Sequence, residues 1–184
     1  MDTLDIAGHF PRINWAANLF LNNLGPAFTN TPDGHIETDI AGAASVAGLM
    51  LLRATNVDLA KYTPGDVILA DVYDGQKKLL DFMANVGYTM GIDPTTGWST
   101  PIPPERQPLF ATLQLMQRLE RPLYEACSQA GLAKDYCPYV AALAAMKLVA
   151  AGASLNLLDA DVGKGLAFYY IVAGSKTVPH PLEE

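Results

Sequence analysis

Lys147 is the residue whose setting best suits it to chemistry. It interrupts the apolar stretch Tyr139 to Leu158, in which only Asn156 is also strongly polar. A lysine kept from water gives up its proton more readily and can then serve as a base or a Schiff-base amine. The bland alternative is that its stem crosses apolar surface while the ammonium reaches water. If the side chain is buried, an acid such as Glu37 or Asp39 should lie beside it, because lysine is rarely buried without a partner.

Those acids belong to the segment GHIETDI, which holds His35, Glu37 and Asp39. On a helix, His35 and Asp39 share a face, and both residue types move protons or bind metal. A di-metal carboxylate bundle needs Glu-x-x-His repeats on paired helices, and the sequence has none, so no metal site is expected. Acids in a first helical turn also simply favour the positive end of the helix dipole. Asp159 and Asp161, ahead of Gly163-Lys164-Gly165, lack EF-hand and P-loop spacing and read as helix caps.

Aromatic residues collect near the C-terminus, among them Tyr139, Tyr169 and Tyr170. With Trp98, these are the candidate walls of a ligand pocket; core packing competes as their role. Cys127 and Cys137 match no zinc or redox spacing and are expected to be free buried thiols on either side of a turn. There is no Ser-His-Asp pattern and no nucleotide loop, so no cofactor is expected and the balance leans away from catalysis. A site assembled from distant residues would leave no such mark.

The elements that must position these residues read as helices. Proline and glycine punctuate residues 1–34, leaving room for one short helix from about Ile13 to Leu24. Thr31 and Pro32 offer an N-cap and first helical residue for a second. Within it, Ile40 to Leu52 (IAGAASVAGLMLL) has no polar stripe and must be covered on nearly all sides. Its thirteen residues span about 20 Å, short of a bilayer core of roughly 30 Å. A third helix is expected from Thr63 to about Met90, kinked near Gly75.

Residues 91–104 form a long proline-rich loop, either a connector or a lid carrying Trp98 over a pocket. Further helices are expected over about 105–130, from Asp135 to about Leu158, and from Asp161 to about Ala173, with Gly174 as a stop. Tyr139 to Leu158 has the length of a membrane span. Eight of its twenty residues are Ala or Gly, however, and Lys147 near the middle costs about 2.5–3.5 kcal/mol on insertion, so no span is expected.

The 184 residues are half hydrophobic and only 17% charged, with a net charge of -7. That field repels phosphate backbones and anionic headgroups, which argues against nucleic acid as a partner. The acidic N-terminal stretch MDTLDIAGHFPRINW does not read as a secretory signal. A cytoplasmic protein is expected. Small residues at helical spacing, Ala41, Ala44, Ser45 and Gly48 in one helix and Ala141, Ala145, Gly152 and Ser154 in another, suit close helix packing or a subunit seam.

The sequence thus predicts an all-α single domain over residues 1–184, a bundle of about six helices with a buried central helix and a C-terminal helical hairpin. Its expected role is that of a non-catalytic homo-oligomer, a dimer in the simplest case, acting as an adaptor or as a binder of a small apolar or amphipathic ligand. The alternative is an enzyme or ligand sensor with a pocket around Lys147, the nearby carboxylates and the tyrosines.

Overall fold

A computed structural model describes residues 4–28 and 35–181. Seven α-helices occur among them: α1 (Ile6–Asn22), α2 (Leu24–Ala27), α3 (Ile36–Arg53), α4 (Tyr73–Thr89), α5 (Thr112–Gln129), α6 (Cys137–Ser154) and α7 (Ala160–Gly174). The all-α bundle read from the sequence is the architecture observed. α3 is its axis, with fourteen of eighteen residues buried. It packs most extensively on α7 and α6, and then on α5. A helix without a polar stripe has no face that can be left in water, so its neighbours surround it.

The closest approach is between α3 and α7. A Cβ placed on Gly48 would collide with the Ile171 carbonyl oxygen, and one on Gly174 would collide with the Ser45 carbonyl oxygen. Two glycines therefore let two backbones touch. Ser45 and Gly48 of the small-residue stripe of α3 meet α7, and Gly152 of α6 packs against Ile36, the first residue of α3, and against Leu158. Gly174 is the last residue of α7 rather than a stop beyond it, and Ser175 takes the C-cap position. Because α3 is enclosed by its own chain and most of α6 is buried, the apolar excess of these helices is largely covered without a second copy. The segment 134–154 is long and apolar enough to cross a membrane by length and composition, but most of it is buried inside the bundle.

Several boundaries differ from those expected. The short helix of residues 1–34 is in fact the 17-residue α1, which carries Pro11 inside it. Asp5 caps it by accepting from the Gly8 N–H at 2.9 Å. Proline there forfeits one backbone hydrogen bond near the helix start, and burial of Ile13, Ala16, Ala17 and Phe20 offsets that loss. The Thr31-Pro32 cap falls outside the described residues; α3 begins at Ile36 with His35 as its N-cap.

The helix expected from Thr63 starts only at Tyr73. Gly65 holds φ +93°, and the following segment pairs with the chain after α7 instead. Ile68 N–H donates to the Lys176 carbonyl, and Val178 N–H to that of Asp66. This partner lies more than a hundred residues away in sequence, so local periodicity could not reveal it. Gly75 accordingly sits in the first turn of α4, where a Cβ would lie 3.1 Å from Leu51, and not at a mid-helix kink.

One further anchor joins distant elements. Arg53 at the end of α3 pairs through two nitrogens with Glu120 of α5, which is buried, and also donates to the His180 carbonyl at 3.2 Å.

Candidate functional site

The groups expected to converge on Lys147 are dispersed. Its ammonium donates to Asn18 Oδ1 of α1 at 2.5 Å, and partial burial pushes its pKa down. Among the described residues no carboxylate pairs with it. Glu37 is buried and accepts from Arg106 Nη1 at 2.7 Å, and the same nitrogen reaches the Leu157 carbonyl at 3.0 Å. His35 caps α3, accepting at Nδ1 from the Thr38 N–H at 3.3 Å, and lies 3.6 Å from Glu37. Desolvation pushes the Asp39 carboxyl up to about 6, against the opposing field of His35. Tyr139 turns its ring edge-on to Phe82 of α4. Lys147, Tyr139 and the group of His35, Glu37 and Asp39 at the start of α3 thus make separate structural contacts.

The buried lysine is a different one. Lys164 of α7 is fully buried. Its ammonium donates to the Asp93 carbonyl at 2.6 Å and lies 2.9 Å from Asp161. Asp93 itself accepts from both the hydroxyl and the N–H of Thr95, which hold its carboxyl below the usual range. The expectation of a simple cap holds for Asp159, which accepts from the Asp161 and Val162 N–H groups. Asp161 instead serves as Lys164's carboxylate. Sequence reasoning passed over Lys164, although the triplet Gly163-Lys164-Gly165 carried a signal. A glycine on either side allows neighbours to close in, Val149 on Gly163 and the Thr100 carbonyl on Gly165.

Lys164 thereby ties the proline-rich connector to α7. The connector, residues 91–111, is longer than the 91–104 loop expected, because α5 begins at Thr112. Gly97 takes φ +84° and lies so close to Asp161 and Lys164 that no Cβ fits. Farther along, the pairing of Arg106 with Glu37 and a 3.0 Å bond from the Leu109 N–H to Thr38 Oγ1 fix the connector to the first turn of α3. It is a strap fastened at both ends. This is where Glu37 acts: its Oε1 holds the strap through Arg106, while the His35 ring lies 3.6 Å from its Oε2.

Between the strap and α7 lies a cleft of about 510 Å³. Its apolar walls are Trp98, Pro101 and Ile102 on one side and Phe168 and Val172 on the other. Ser99, Thr100, Gln107 and Tyr169 supply polar atoms, and among the described residues no charged side chain lines it. Trp98 is fixed by a 2.9 Å bond from its Nε1–H to the Pro94 carbonyl. Tyr169 is 58% exposed and meets Tyr170 edge-on, with ring centroids 5.1 Å apart. Tyr170 is buried, and its hydroxyl is pushed to higher pKa by burial and by Tyr169. Of the candidate pocket residues, Trp98 and Tyr169 meet in one cleft; Tyr139 and Tyr170 are not among its walls.

A second cavity, of about 350 Å³, sits where α6 passes to α7 and includes Arg106, Asn156 and Asp159. Its arginine is already engaged by Glu37 and Leu157. Among the described residues no cluster of three or more metal-ligating side chains occurs. No protein-family model, curated protein or solved structure matches this chain.

Proposed function

We propose that this chain is a non-catalytic, cytoplasmic helical protein that binds a small neutral or amphipathic molecule in the strap cleft. The observation that carries this is the lining: aromatic and aliphatic walls, a few uncharged polar groups and, among the described residues, no charge, in a volume typical of small-molecule sites. Desolvating a charged ligand there would cost several kcal/mol with no counter-charge to offset it. The rigid strap supports the same reading, because a preformed wall reduces the ordering cost of binding.

Titration with 2-phenylethanol and n-octanol, followed by Trp98 emission in a Trp15→Phe background, tests this. Saturable change is expected, weakened roughly tenfold by Tyr169→Ala, the equivalent of about 1.4 kcal/mol. Emission that does not respond to either alcohol would remove the proposal.

Self-association is the second part of the proposal, favoured by a different surface. Val67 and Leu69 are 75% and 92% exposed, and Tyr73 is 70% exposed. All three lie on or next to the extended segment that follows Gly65. Apolar side chains grouped in this way mark interaction surfaces. Light scattering at micromolar concentration should give a mass of two copies of the 19.7 kDa chain, reverting to one in Val67→Asp/Leu69→Asp. A monomer in the unaltered protein would contradict this part and leave the cleft untouched.

A further inference from the structure

Residues 65–68 pair antiparallel with 176–178 through a bridge between Val67 and Thr177. The hydrogen bonds of this pair come from the residues on either side of Val67: Ile68 N–H donates to the Lys176 carbonyl, and the Asp66 carbonyl accepts from the Val178 N–H. In an antiparallel ladder, successive residues turn their backbone groups to opposite edges. The N–H and carbonyl of Val67, and those of Leu69 two residues on, therefore face away from 176–178. Among the described residues no hydrogen bond reaches either of them.

Side chains alternate as well. Ile68 is buried with Leu52 and Val178, which fixes the segment, and Val67 and Leu69 stand on the other face, both exposed. The result is a two-stranded ribbon held along one edge and open along the other, fewer than the three strands that usually make a sheet stable. An open edge with apolar side chains is a template for a further strand.

We infer that the added strand is the same segment of a second copy, running antiparallel about Ile68, so that two ribbons join into one four-stranded sheet. The inference rests on the self-association proposed above and assigns its geometry. The segment is its own complement: a two-fold axis at Ile68 sets Val67 opposite Leu69 of the second copy, and Leu69 opposite its Val67. Each such pair exchanges N–H to carbonyl bonds through the groups left open and brings two apolar side chains together, the contact that stabilises a sheet. Sliding the strands by two residues would set Leu69 opposite Gly65 or Val67 opposite Asp71, so only the register about Ile68 matches both apolar side chains. In that register Asp66, whose carboxylate is held by the Thr63 N–H at 2.9 Å, falls opposite Ala70, and no like charges stand directly across from one another. With Tyr73, the exposed side chains offer roughly 450 Å² per copy, the size of a patch that marks an interaction surface. Over two copies that is about 900 Å², to which the paired backbone adds, reaching the lower range of specific interfaces.

Magnetic resonance on a mixture of isotope-labelled and unlabelled full chains tests the pairing. Contacts between copies are expected from the Val67 methyls to those of Leu69, and the Val67 and Leu69 amides should exchange about tenfold more slowly at submillimolar than at low micromolar concentration. Leu69→Pro removes an outward N–H while keeping an apolar side chain. It should weaken the dimer roughly tenfold or more, with the Ile68 amide, bonded to Lys176, still protected. The inference is overturned if Leu69→Pro dimerises as the unaltered chain does, if Val67 contacts Val67 of the second copy, or if the two amides exchange alike at both concentrations. Loss of the dimer in Val67→Asp/Leu69→Asp but not in Leu69→Pro would keep the apolar patch and reject the strand pairing. A monomer throughout contradicts the self-association itself, and the pairing falls with it.

Discussion

Lys164→Ala is expected to lower the stability of the protein by about 3–5 kcal/mol. The three buried methylenes that alanine lacks contribute about 0.8 kcal/mol each. The Asp93 carbonyl, which now accepts the Lys164 ammonium at 2.6 Å, loses its partner at a further cost of about 1–3 kcal/mol. Part of this is offset because an ammonium no longer has to be held out of water. Asp161 is half exposed and can return to solvent, so it adds little. Lys164→Met keeps most of the stem and loses only the tether, which should reduce the cost to about 1–3 kcal/mol.

Urea unfolding of the two variants separates packing from tethering. In a chain of this size the alanine change should also lower Tm on the order of 10 °C. If both variants stay within about 0.5 kcal/mol of the unaltered protein, the range of an ordinary surface substitution, the strap is not held by Lys164. The consequence for function is direct, because the same side chain fixes the strap that forms one wall of the cleft.

Gly48→Val carries the second large effect, expected at about 3 kcal/mol or more. Overpacking a core usually costs about 1–3 kcal/mol because side chains shift aside. Here the obstacle is the Ile171 carbonyl, a backbone group of α7, which cannot turn away without moving the helix. Gly174→Ala meets the Ser45 carbonyl from the other side and should behave alike. Gly25→Ala is the control: nothing lies within 4 Å of its added methyl, and the change should be neutral or stabilising by up to about 1 kcal/mol. Equal midpoints for Gly48→Val and Gly25→Ala in thermal unfolding would show that α3 and α7 do not touch at these glycines.

How far the fold was legible depends on whether the deciding contact is local. The burial of α3 was readable because Ile40 to Leu52 offers no polar face, whatever its neighbours are. The end of α4 was readable for the same kind of reason, a 3.6-residue period. Its start was not, because residues 65–68 are settled by pairing with 176–178. Pro11 misled through a local rule: one lost hydrogen bond at the start of α1 weighs less than the burial that follows it.

The candidate site follows this division. Lys147 and Lys164 both interrupt apolar helices, and composition cannot tell which one faces the interior. The difference lies in the partner: Lys147 meets Asn18 near the surface, whereas Lys164 is met by the Asp93 carbonyl from a loop 71 residues earlier. Trp98 and the C-terminal tyrosines were readable as separate aromatic groups, and the lid-like loop as a loop. That Trp98 and Tyr169 share one cleft depends on Thr100 closing onto Gly165, a contact with no mark in either segment alone.

The central claim is that the strap cleft is a binding site, and shift mapping of the isotopically labelled chain with 2-phenylethanol tests it most directly. Perturbations are expected to concentrate on Trp98 to Ile102, Gln107 and Gly165 to Val172, and to weaken in Lys164→Met, whose strap is untethered. Perturbations that instead gather at Val67 and Leu69, or that scatter over the surface without saturating, would contradict it.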